Sequence, residues 1–237
     1  MIQRFLQKYR EAFGEAAPLP IAFGYSDTPA VEGKKVPRCI GAIRKVCEGE
    51  PLTLTAQNVL CGGGSLYTAF APMQERIPAF VSETEHYKQT REQVKAFIDK
   101  LDIRLTEKLY LNFVRMDRLT DFDSVEGILF FATPDRLSGL CSWAFFDNDA
   151  DDAVCTRFAS GCCSIVAFAV QENRRGGRSC FLGMLDPSAR PLVPADELSF
   201  TIPMSRFREM LQTMEHSALF QKAYSIVRKR MNGELGK

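Results

Sequence analysis

Histidine is nearly absent from this chain: His86 and His216 are the only two in 237 residues. A three-histidine metal site therefore cannot form within one subunit. His86 also lacks the partner of an H-E-x-x-H helix, which excludes metallohydrolase chemistry of that kind. An excess of one charge is missing too, with 30 Lys+Arg against 29 Asp+Glu and a formal net charge of +1. No global field would hold a polyanion or an acidic lipid surface, so neither nucleic acid nor membrane is an expected partner. No uncharged apolar run approaches the roughly 20 residues that a bilayer requires. The charged N-terminal segment from Met1 to Lys8 reads as a helix start rather than a signal peptide. A cytoplasmic location follows as the expectation, and there the eight cysteines should be mostly reduced. Cysteines in C-x-x-C pairs are lacking as well, so no close-paired zinc or iron–sulfur motif is written into the chain.

What is present is enough apolar material for a substantial core, 46% of residues, in one compact unit spanning 1–237. Ile2, Phe5, Leu6, Tyr9 and Phe13 recur at helical spacing and predict a first helix over residues 1–16, stopped by Pro18 and Pro20. Strands are predicted at 21–25, 52–55, 109–114 and 128–132, with another candidate from Val154 to Phe158 and a short helix from Pro37 to Cys47. Ser82 with Glu85 forms a capping-box pattern that predicts a long helix ending near Leu105. Thr133-Pro134 opens another, whose buried stripe is Leu137, Leu140, Cys141, Ala144 and Phe145. The C-terminus reads as a helical pair over 203–232, opened by Pro203 and stopped at Asn232-Gly233.

These elements describe an α/β or α+β fold, a mixed sheet with flanking helices. Residues 18–80 and 108–170 read as degenerate repeats of strand, helix, strand, cysteine loop and helix. Thr28-Pro29 answers Thr133-Pro134, Cys39 answers Cys141, and Cys61 answers Cys162. Such a duplication would place both cysteine loops on one cleft.

The chemistry concentrates in those loops. Cys61-Gly62-Gly63-Gly64-Ser65, ahead of an apolar helix, sets a thiol beside backbone N–H groups that favour an anion or a thiolate. Ser160-Gly161-Cys162-Cys163 repeats the theme. The glycine spacing matches neither nucleotide-binding fingerprint, and a tight packing turn accounts for it equally well. Tyr67 stands where a nucleophile elbow needs glycine, and Phe158 where a calcium loop from Asp147 needs glutamate. Asp147 to Asp152 therefore reads as a solvated loop, and Arg174 to Arg178 as a turn. Cys47, Cys141 and Cys155 read as small core residues.

Arg38-Cys39 with Ala42 and Gly49, then Cys61-Gly62-Gly63, Ser160-Gly161-Cys162, Gly183 with Asp186 to Arg190, and Pro203 together resemble the ArCR family, domain of unknown function number 169. The resemblance runs along nearly the whole chain. It implies a prokaryotic protein whose recurring cysteines are Cys39, Cys61 and Cys162, with Cys163 standing where glycine is expected. It implies no established activity. The function expected on these grounds is binding of a small anionic ligand, or of a zinc or iron–sulfur centre on Cys39, Cys61 and Cys162. The ligand-binding residues would be Gly62, Gly63, Gly64, Ser65 and Gly161. One alternative is a thiol-dependent redox enzyme with Cys61 as nucleophile; the other is a non-catalytic interaction protein assembling through aromatic surface. Whether the chain is an enzyme, and whether it forms a homo-oligomer, the sequence leaves open.

Overall fold

A seven-stranded mixed sheet organises the chain in the order β2-β3-β1-β4-β7-β6-β5, in a computed structural model that describes residues 1–235. Its strands are β1 (Ile21–Ser26), β2 (Leu52–Leu54), β3 (Tyr110–Arg115), β4 (Gly127–Ala132), β5 (Val154–Thr156), β6 (Cys180–Gly183) and β7 (Leu198–Pro203). β5 and β6 pair in parallel, and every other strand pairing in the sheet is antiparallel. β4 is central and buried along its whole length, with Leu129 and Phe131 on one face and Ile128, Phe130 and Ala132 on the other. A strand covered by helices on both sides has no polar face to display, which is why it reads as an unbroken apolar run.

One face is covered by α1 (Ile2–Phe13), α6 (Pro134–Phe146), α8 (Met204–Thr213) and α9 (Lys222–Met231). The other carries α2 (Cys39–Lys45), α3 (Gly62–Tyr67), α4 (Arg76–Ala79), α5 (Arg91–Lys100) and α7 (Phe168–Arg175). Among the described residues, no helix is long and apolar enough to cross a membrane.

Several elements depart from the sequence reading. α1 ends at Phe13, before the prolines, because Gly14 adopts a positive φ of 86° and returns its N–H to the Arg10 carbonyl. The long helix predicted from Ser82 is broken. Phe80–Thr84 is a wide π turn, Ser82 Oγ donates to the Pro78 carbonyl, and α5 starts only at Arg91, where Thr90 Oγ1 accepts from the Gln93 N–H. The α6 stripe is shifted: Trp143 is buried and Phe145 exposed. β5 stops at Thr156. Asp147 is no free loop residue, since it pairs with the fully buried guanidinium of Arg206. β1 and β4, which precede the matched Thr28-Pro29 and Thr133-Pro134, are antiparallel neighbours, but the helices that follow them, α2 and α6, lie on opposite faces. Cys39 and Cys141 are therefore separated by the sheet.

Candidate functional site

On the α2–α3–α5 face a cavity of about 390 Å³ draws its lining from four separated chain segments, residues 37–40, 61–97, 158–162 and 186–192. Cys39, Cys61 and Cys162 all contribute to it. Cys39 is the first residue of α2, Cys61 is the N-cap of α3, and Cys162 directly precedes a second π turn, Cys163–Ala167, that runs into α7. The Phe80–Thr84 π turn lines the cavity through Phe80 and Val81, and wide turns of this kind recur at functional sites.

Glycine makes the convergence possible. A Cβ on Gly64 would stand 3.0 Å from Cys39 Sγ, 3.0 Å from Val59 Cγ1 and 3.4 Å from Cys61 Cβ, so a larger residue would push the two cysteine segments apart. Gly161 plays the same part against α2, where a Cβ would meet Ile40 at 2.7 Å. Gly63 differs: its nearest neighbours would be Tyr67 Cε2 at 3.8 Å and Cys61 Sγ at 4.0 Å, ordinary contact distances. The three glycines are not a loop, as the sequence suggested, but the first turn of α3. Cys61 Sγ accepts from the Gly64 N–H at 3.4 Å, a capping role that serine or aspartate usually fills. Ser65 faces inward, its Oγ donating to the Cys61 carbonyl at 3.2 Å.

The thiols are not equivalent. Hydrogen bonding from the Cys162 thiol holds Cys39 below the usual cysteine range, against the opposing effect of burial. The same bond, together with complete burial, pushes Cys162 well above that range. Of the two thiols, Cys39 is the readier to ionise. Cys61 is exposed. Cys47, Cys141 and Cys155, expected in the core, are only half-buried and lie outside the cavity, whereas Cys163 and Cys180 are fully buried. Burial pushes Cys47 up to about 11.

As a ligand set for zinc or an iron–sulfur cluster the three cysteines fit poorly. Among the described residues no group of three or more His, Cys, Asp or Glu side chains is arranged to hold a metal ion.

The remaining walls are mostly apolar, with Ile77, Val81, Val94, Phe97 and Leu192 inside, while Phe80 and Phe158 are exposed at the rim. The sequence reading missed a polar group set into these walls: Tyr67, Glu85, Tyr87 and Asp186. Asp186 is buried, its Oδ1 accepting from Ser188 N at 2.9 Å and Ser188 Oγ at 2.8 Å. Burial first, and the neighbouring Asp186 second, raise the Glu85 carboxyl above the usual range. His86 and Met184, beside these carboxylates in sequence, both adopt positive φ, at 53° and 64°. Non-glycine residues hold that conformation only where their surroundings impose it. Such positive φ values leave no mark in a sequence, but Asp186 lies in the family stretch from Asp186 to Arg190.

A mixed α/β protein with a thiol-floored, apolar-walled cavity is the class that fold and site define. The chain belongs to the family described as uncharacterised ArCR, domain of unknown function 169, whose model matches residues 17–213. No curated protein and no solved structure matches it.

Proposed function

We propose that this protein binds a small, largely apolar organic molecule in the cavity floored by Cys39, Cys61 and Cys162. The observation that carries the reading is the meeting of three cysteines from distant chain segments at one cavity of about 390 Å³, within the 300–1,000 Å³ typical of ligand pockets. The anionic ligand expected from the glycines loses ground, because the Gly64 N–H already serves Cys61 and the buried charge in the wall is the carboxylate of Asp186.

A second reading, thiol-dependent chemistry, is favoured by the Cys39–Cys162 bond. The nucleophile on this reading is Cys39 rather than Cys61, since its pKa is shifted downward and a lower pKa raises the thiolate fraction.

Titration with N-phenyl-1-naphthylamine, a neutral dye that brightens in apolar surroundings, tests the binding reading. Fluorescence should rise to saturation with the wild-type protein. It should be lost in Gly63→Val, which adds bulk at a cavity-lining position whose Cβ meets only ordinary contacts. Absence of saturable enhancement, or an unchanged titration in the variant, contradicts it.

A further inference from the structure

Tyr67 is only 7% exposed, lines the cavity, and its hydroxyl has no hydrogen-bond partner among the described residues. Burial raises the Tyr67 hydroxyl well above the usual tyrosine range, and the carboxyls of Asp186 and Glu85 push in the same direction. Glu85 and Asp186 set two carboxyl groups into one mostly apolar wall, where like charges repel. Ser188 donates to Asp186, but no cation among the described residues pairs with it. Glu85 has no ion-pair partner among the described residues, and its raised pKa reflects burial and Asp186 without a compensating cation. Of the two cations in the lining, Arg38 is exposed, and Lys88 Nζ stands over the Phe97 ring, 5.7 Å from its centroid.

We infer that the cavity's ligand carries a protonated amine, held by Glu85 and Asp186 with Tyr67 as a further hydrogen-bond partner, and an apolar body lying against Val81, Val94 and Phe97. This inference rests on the binding reading and gives it a substrate class, the apolar amines. An ammonium head offers three donors to the two carboxylates and replaces their mutual repulsion with attraction. The aromatic wall suits the carbon chain behind it.

Competition against bound N-phenyl-1-naphthylamine separates this inference from the reading beneath it. Hexylamine, hexanol and hexanoate share a body and differ in the head. Hexylamine should displace the dye at the lowest concentration and hexanoate at the highest. In Glu85→Gln the advantage of hexylamine over hexanol, measured as a ratio in the same protein, should fall about tenfold. Tyr67→Phe should weaken hexylamine more than hexanol. Asp186→Asn disturbs the Ser188 turn, so the half-exposed Glu85 is the decisive position. If the dye binds but hexylamine competes no better than hexanol, or the preference survives Glu85→Gln, the amine assignment is wrong and the cavity reading stands. If the dye does not bind, the cavity reading itself fails.

Discussion

Cys162, buried just ahead of a π turn, and Cys39, at the start of α2, face one cavity, and hydrogen bonding between their thiols shifts the two in opposite directions, Cys39 down and Cys162 up. Cys39 should therefore alkylate at lower pH than an ordinary cysteine. Replacing Cys162 with alanine removes the bond and should shift the Cys39 rate profile with iodoacetamide to higher pH, as read by mass spectrometry. An unmoved profile would show that the bond does not set the thiolate population.

Access should rank the other thiols. Cys61 is exposed, while Cys141 is half-buried with its pKa raised by burial. Native-state labelling should modify Cys61 before Cys141, with Cys163 and Cys180 last. Cys141 labelled ahead of Cys61 would reverse the assignment.

Two neighbouring glycines should respond differently to added bulk. Gly64→Ala forces a Cβ to 3.0 Å from both Cys39 Sγ and Val59 Cγ1. Overpacking of this kind costs about 1–3 kcal/mol. Gly63→Ala meets only ordinary contacts and should leave the unfolding midpoint in urea almost unchanged. Equal losses in the two variants would contradict the geometry.

Asp147 ties the loop after α6 to α8. Burial alone would raise its carboxyl, but the bonds from Arg206 outweigh this and the net shift is downward. A carboxylate with a depressed folded-state pKa adds stability above its unfolded value, about 3.9, and loses it as pH falls through the lower folded value. Thermal stability of the wild type should drop across that acid window, and Asp147→Asn should be less stable near neutrality with a shallower acid decline. Parallel curves for the two proteins would remove Asp147 from the acid response.

The fold was legible where a single periodicity ruled. The 3.6-residue stripe of Ile2, Phe5, Leu6, Tyr9 and Phe13 and the apolar runs of β3 and β4 appear at their expected places. β7 was missed although Leu198-Ser199-Phe200-Thr201-Ile202 alternates, because the proline that ends the strand also opens α8 and drew the reading to the helix. The break before α5 was hidden because Ser82 and Glu85 imitate a cap while Ser82 bonds backward to Pro78. At the site, Cys39, Cys61 and Cys162 were named from the sequence, and the cavity brings them together. The polar wall was not: Tyr67, Glu85 and Asp186 meet only through tertiary packing, and each alone looks like an ordinary helix or loop residue.

The most direct measurement is the alkylation rate of Cys39 with and without saturating N-phenyl-1-naphthylamine, with Cys47, outside the cavity, as internal control. A bound dye should slow Cys39 several-fold, in proportion to the free cavity it removes, and leave Cys47 unchanged. A Cys39 rate indifferent to the bound dye would place binding elsewhere and contradict the cavity as the site.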